Sequence, residues 1–198
     1  MSVLVGKAAP EFTLNAVYGD NQIKPLSLTE HRGRYVLLFF YPLDFTFVCP
    51  SELIALDHRL AEFAKRNTDV VAVSIDSEFT HLAWKNTPVN QGGIGQVGYP
   101  LVADIKHTLC QAYGVEDSDG TALRGSFLID RAGVVQHQSV NNASLGRNID
   151  DLLRLIDALQ FNEEHGDACP AGWQKGDAGI AQSPAGVAAY LAENAAGL

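Results

Sequence analysis

The sequence predicts an α/β fold with a mixed central β-sheet flanked by helices. Tyr35–Tyr41 is an unbroken apolar run and Asp69–Ile75 is nearly one, the signature of strands covered on both faces. Between them Leu53, Leu56, Leu60 and Phe63 recur at 3-4-3 spacing on one helical face, which makes a β-α-β unit and a parallel strand pair. Further on, Asp130-Arg131-Ala132-Gly133 separates Ser126–Ile129 from Val134–Val140. Those turn residues predict a hairpin and add antiparallel pairing.

Taken in order, an N-terminal segment carries turn signals at Gly19-Asp20-Asn21 and leads to the strand at 35–41. A helix over about 51–66 follows, then the second buried strand. Short helices are predicted around Thr80–Asn86 and Ile105–Tyr113, the latter ending near Gly114. After the hairpin, Ile149, Leu152, Leu153, Ile156 and Leu159 stripe a helix over about Gly146–Leu159. From Gly166 the composition shifts to Gly, Ala, Pro and Ser, with helical character returning at Gly186–Glu193. The chain is therefore read as a domain over 1–165 and a mobile C-terminal tail over 166–198. If Val134–Val140 lies at the sheet edge, it offers backbone for pairing with a second subunit.

At 198 residues and 21.3 kDa, the chain is long enough to bury about 70% of its unfolded surface. Its net charge of -9, without a Lys/Arg cluster, argues against nucleic acid and anionic membrane surfaces as partners. No stretch approaches the roughly 20 apolar residues of a membrane span, and the start lacks a basic leader followed by an apolar run. Three cysteines, Cys49, Cys110 and Cys169, without a C-x-x-C, fit functional thiols in a reducing compartment, so a cytoplasmic location is expected. The six histidines are scattered, and His165 with Cys169 is the nearest approach to a ligand pair. Metal sites show denser spacing, so neither metal nor other cofactor is expected. Gln91-Gly92-Gly93-Ile94-Gly95 lacks the Gly-Lys-Ser/Thr ending of a phosphate loop.

Cys49 is the candidate nucleophile. It stands in Tyr41-Pro42-Leu43-Asp44-Phe45-Thr46-Phe47-Val48-Cys49-Pro50-Ser51-Glu52, between the buried strand and the amphipathic helix. Pro50 suits a first helical residue because its missing N–H costs nothing there. A sulfur in the cap region just before it faces unpaired N–H groups and the positive end of the helix dipole, and both favour thiolate.

These residues resemble the typical two-cysteine peroxiredoxins, including the peroxidase component of bacterial alkyl hydroperoxide reductase, over nearly the whole chain. Pro42-x-x-x-Thr46-x-x-Cys49 resembles the peroxidatic signature, Arg124-Gly125-Ser126-Phe127 the active-site arginine segment, and Cys169-Pro170-Ala171-Gly172-Trp173 the resolving-cysteine segment. Trp84-Lys85-Asn86-Thr87-Pro88 and Gly146-Arg147 fit as well. The resemblance implies a thioredoxin-like fold, homodimers formed by edge-strand pairing, and often a ring of five dimers. It implies a hydroperoxide substrate, and a disulfide between Cys49 and Cys169 of the partner subunit, regenerated by a thioredoxin or a flavoprotein disulfide reductase. Two features depart from the pattern. Cys110 lies outside the catalytic set and reads as a core residue. Gly92-Gly93-Ile94-Gly95 is close to the Gly-Gly-Leu-Gly of members prone to over-oxidation, whereas the companion Tyr-Phe is Tyr190-Leu191 here.

Acidity alone does not make such a thiol fast. Lowering a cysteine pKa from about 8.5 to about 6 raises the thiolate fraction at pH 7 about thirty-fold. With a Brønsted slope of about 0.45, nucleophilicity falls about thirteen-fold, leaving a net factor of about two. The site must also stabilise charge on the leaving oxygen. Arg124, Thr46 and the backbone N–H of Cys49 are the candidate donors, Pro42 shapes and shields the pocket, and Glu52 with Arg147 is a candidate ion pair orienting Arg124. The alternatives are a peroxidase in which Cys169 is incidental, a general thiol–disulfide oxidoreductase, and a ring-forming holdase.

Overall fold

The computed structural model describes residues 3–197. By contact the described residues form two compact units that divide between Ile149 and Asp150. The first is built on seven strands: β1 (Thr13–Val17), β2 (Ile23–Ser27), β3 (Tyr35–Phe40), β4 (Thr68–Ser74), β5 (Leu101–Ala103), β6 (Arg124–Ile129) and β7 (Val135–Asn141). They form one sheet in the order β2-β1-β5-β4-β3-β6-β7. The pairs β3–β4 and β4–β5 are parallel and the other four antiparallel, so the predicted β-α-β unit and hairpin are both present in a thioredoxin-like mixed sheet.

All six residues of β3 are buried, because it is an inner strand with apolar side chains on both faces. Val36, Leu38 and Phe40 alternate onto one face and join Val71, Val73 and Val102 in a core cluster. There the rings of Phe40, Tyr113 and Phe127 meet at centroid distances of 4.8–5.7 Å. Two N-terminal strands and β5 were not predicted. β1 and β2 are five residues each with mixed polarity, and β2 contains Pro25, which an edge strand tolerates. β5 has three residues, too few for a periodicity.

The predicted helix over 51–66 is two helices, α1 (Cys49–Asp57) and α2 (Leu60–Lys65). Arg59 N–H donates to the Leu56 carbonyl three residues back, a tighter turn that interrupts the α-ladder. The apolar stripe still holds, with Leu53, Leu56 and Phe63 at 0% exposure. α3 spans Glu78–Asn86, with Ser77 Oγ accepting from Thr80 N–H at its start, and packs on β1 and β5. α4 is only Thr108–Ala112. His107, at φ 59, bars the helix from starting earlier, and Asp104 accepts from Leu109 N–H and Cys110 N–H at 3.1 and 2.7 Å.

α5 covers Ile149–His165, three residues later at its start than predicted, and from Asp150 on it belongs to the second unit. Asp150 and Asp151 lie in its first turn, where acidic side chains complement the dipole. The expected mobile tail carries regular structure. Ala168 and Ile180 form a β-bridge, and α6 (Pro184–Asn194) starts on a Ser183 cap followed by proline. Trp173 is 2% exposed, with its ring 4.9 Å from that of Phe161 and its indole N–H donating to the Asp177 carbonyl.

Candidate active site

β3 delivers the chain to a loop over 41–48 that ends on α1. Cys49 is the first residue of that helix and Pro50 the second, one step earlier than predicted; proline is accepted there because its N–H would be unpaired in either place. The Cys49 side chain is fully buried. Two groups converge on its sulfur. Thr46 Oγ1 lies 3.0 Å from Sγ, and Arg124 Nη1, from the start of β6, lies 3.4 Å away. Thr46 Oγ1 is also 2.7 Å from the Leu43 carbonyl. A hydroxyl has one proton, so with a thiol it donates to Leu43 and accepts from S–H. With a thiolate it donates to sulfur.

Arg124 is 3% exposed and clamped on three sides. Its Nε donates to the Ala143 carbonyl at 2.7 Å, and Nη1 reaches both Cys49 and, at 2.7 Å, Glu52 Oε2. Glu52, one helical turn after Cys49, is equally buried. It accepts from the backbone N–H, Nε and Nη2 of Arg147 at 2.7–2.9 Å, while Arg147 Nη1 donates to the Gly125 carbonyl at 2.8 Å. The Arg147 guanidinium lies 3.2 Å from the ring centre of Phe39, a stacked cation–π contact. At Gly146 the turn packs closely on the loop before Cys49, since a Cβ there would press to 3.3 Å on Val48.

The electrostatics follow from that packing. Burial alone would push the Glu52 carboxyl up, but hydrogen bonds and charge from Arg147, aided by Arg124, hold it below its ordinary value. Arg147 is pulled down from the ordinary arginine value by burial, an effect the Glu52 carboxylate opposes. Both remain ionised, a buried carboxylate shared by two guanidinium groups.

A second buried network, which the sequence reading did not single out, anchors the loop from behind. Tyr41 O–H donates to Asp44 Oδ1 at 2.7 Å, and His81 Nδ1 is 2.8 Å from Asp44 Oδ2. His81 Nε2 faces the Val102 carbonyl at 3.2 Å, so that nitrogen donates. Asp44 N–H is tied to Asp76 Oδ2 at 2.8 Å, and burial raises the Asp44 carboxyl. Phe45, between Asp44 and Thr46, is held at φ 54, a conformation costly for a bulky residue and maintained only when its surroundings demand it. The tight spacing Tyr41-x-x-Asp44 was the available sequence signal.

Pro42, Thr46 and Arg124 line one mouth together with Phe47, Val48, Ala143 and Ser144, a cavity of about 270 Å³. Pro42, Thr46, Arg124, Glu52 and Arg147 are thus gathered around Cys49. Cys169 lies in the other compact unit, half-buried, with Sγ 3.4 Å from the Ala158 carbonyl; burial raises its thiol, partly offset by Arg154. His165 pairs with Phe161 through its carbonyl and ring. Cys110 sits in the core cluster, its thiol pushed far up by burial and by Asp104. All three cysteines are free. The Gly-rich stretch is a close-packed turn, for a Cβ on Gly93 would fall 1.8 Å from the Thr87 carbonyl. Among the described residues, no group of three or more His, Cys, Asp or Glu could hold a metal ion, and no helix is long and apolar enough to cross a membrane.

A thioredoxin-like sheet whose inner strand runs into a buried cysteine faced by a threonine hydroxyl and an arginine is the architecture of the peroxiredoxins. Residues 5–138 match the AhpC/TSA family, and residues 158–193, which include Cys169, match the C-terminal domain of 1-Cys peroxiredoxin. The chain is 51% identical over 194 residues to alkyl hydroperoxide reductase C of Helicobacter pylori, covering 97% of this chain and 98% of that one. It is 50% identical over 173 residues to peroxiredoxin-2 of Mus musculus, covering 87% of each. The crystal structure of reduced 2-Cys peroxiredoxin from Plasmodium vivax superposes with a TM-score of 0.95 at 50% identity, covering 96% of this chain and all of that one. The chain belongs to the AhpC/TSA family.

Proposed function

We propose that this protein is a thiol-dependent peroxidase that reduces hydrogen peroxide and organic hydroperoxides at Cys49. The convergence of Thr46 Oγ1 at 3.0 Å and Arg124 Nη1 at 3.4 Å on one buried sulfur carries the reading. The Cys49 thiolate attacks the terminal oxygen of the hydroperoxide. An S–O bond forms, the O–O bond breaks, and sulfur is oxidised by two electrons to sulfenic acid. The departing oxygen leaves as water or alcohol after taking a proton from solvent. Arg124 and Thr46 supply donors where negative charge grows, and such charge stabilisation by donors already fixed in place is the larger part of the acceleration.

Cys169 of the partner subunit then condenses with the sulfenic acid, releasing water and forming an intersubunit disulfide. An external dithiol, a thioredoxin or a flavoprotein disulfide reductase, regenerates both thiols by exchange. β7 is the terminal strand of the sheet and is the surface by which two copies pair, five such dimers closing a ring. The expected compartment is the cytoplasm. The test is non-reducing electrophoresis after one equivalent of peroxide. A covalent dimer is expected in the native chain and in neither Cys49→Ser nor Cys169→Ser. A dimer persisting in Cys169→Ser, or none in the native chain, defeats the two-cysteine scheme. Suppression of client aggregation by Cys49→Ser measures any holdase action separately.

A further inference from the structure

The geometry points to Ala143 and Ser144 as the residues that set how large an organic group the peroxidase accepts; this rests on the peroxidase reading above. For an in-line displacement the O–O axis extends from Sγ, so the leaving oxygen and its substituent project away from the sulfur. Cys49 is fully buried, and the cavity that opens beyond Thr46 and Arg124, the two groups on its sulfur, is also lined by Pro42, Phe47, Val48, Ala143 and Ser144. The substituent therefore enters this cavity, whose lining is bulky and apolar at Pro42, Phe47 and Val48 but carries only a methyl and a hydroxymethyl group at Ala143 and Ser144.

The small-residue part of this lining is also fixed. Ala143 carbonyl accepts from Arg124 Nε at 2.7 Å, and Asn142 Oδ1 accepts from Ala143 N–H at 2.6 Å. Leu145 N–H donates to the Asn142 carbonyl at 3.0 Å, and Asn141 Nδ2 donates to the Leu145 carbonyl at 3.1 Å. The turn is thus tied through the Ala143 carbonyl to the same guanidinium that faces the sulfur. At about 270 Å³ the mouth falls just short of the ~300–1,000 Å³ of drug-sized ligand sites. It is still many times the ~30 Å³ share of one water. Hydrogen peroxide leaves most of that space empty, and a branched or aromatic alkyl hydroperoxide occupies it. The reaction balances as ROOH plus thiolate plus one proton giving sulfenic acid plus ROH, with R retained on the departing oxygen and never bonded to sulfur.

The experiment measures second-order rates of Cys49 oxidation by stopped flow, with cumene hydroperoxide and with hydrogen peroxide, in the full chain and in Ala143→Val, Ala143→Phe and Ser144→Phe. The readout is the ratio of the two rates. Misfit of a single methylene already discriminates about 10–200-fold, so the cumene-to-hydrogen-peroxide ratio is expected to fall at least about tenfold in Ala143→Phe, less in Ala143→Val, and in the same direction in Ser144→Phe. Should Ala143→Phe fail to fold, the other two variants decide. An unmoved ratio overturns the proposal, whether both rates stay constant or both fall together, because the turn would then act through Arg124 alone. A native chain that consumes both peroxides no faster than free cysteine refutes the peroxidase reading instead.

Discussion

Replacing Glu52 by Gln tests whether one buried carboxylate holds the site together. Glu52 on α1 accepts from Arg124 on β6 and from three groups of Arg147 in the loop that follows β7, and all three side chains are no more than 4% exposed. The amide keeps the shape but removes the charge and turns one acceptor into a donor facing donors. Two guanidinium groups are then left buried without a counter-charge. Breaking such a pair costs about 3–5 kcal/mol, which at ~2–4 °C per kcal/mol for a chain of this size lowers the melting temperature by roughly 10 °C. Because the Glu52 carboxyl is held below its ordinary value of 4.5, its stabilisation is complete above that pH and is lost as pH falls through the lower folded value. Thermal melts at fixed protein concentration, at pH 7 and at successively lower pH, should show an acid-dependent loss in the native chain that is smaller in Glu52→Gln. Arg124, freed from one anchor, should also leave peroxide reduction about a hundredfold slower, the scale for an ångström of misplacement at a reacting centre. A variant melting within about 2 °C of the native chain, with the same acid profile, would refute the reasoning.

Thr46→Val preserves shape without the hydroxyl and should slow Cys49 oxidation by about 10²–10³-fold, the cost of one transition-state donor; Thr46→Ser should restore most of the rate in the same stopped-flow assay. Arg124→Lys should lose a comparable factor, because a single ammonium cannot span the Ala143 carbonyl, Glu52 and Cys49 at once. Equal rates in the lysine variant would show that charge alone suffices. Cys110→Ala should leave peroxide rates and the oxidised dimer as they are, while lowering stability by about 1 kcal/mol in urea titration. In the native protein, iodoacetamide should spare Cys110 at pH 8, since burial and Asp104 keep its thiol protonated.

Local chemistry was legible wherever a few consecutive residues determine it. The apolar run at 35–41 could only be an inner strand, and Pro50 marked a helix start to within one residue. Pro42, Thr46 and Cys49 lie within eight residues, so their closeness at the junction of strand and helix followed from spacing. Short or mixed elements carried no such signal. β5 has three residues, and the break between α1 and α2 is a change of hydrogen-bond register under an uninterrupted apolar stripe. Asp44 and His81, 37 residues apart, gave no sequence sign that they would meet inside the protein.

Sequence alone determined the class of sheet and the candidate nucleophile, because these depend on periodicity, turn chemistry and short-range spacing, while the residues expected around that cysteine came from the family resemblance. Only the tertiary structure decided that Arg124, 75 residues from Cys49, reaches the sulfur, that Glu52 is shared by two buried arginines, and that Ala143 faces the mouth. Those facts depend on which strands neighbour one another. Bringing distant charges together in a water-poor interior is favourable only when every partner arrives at once.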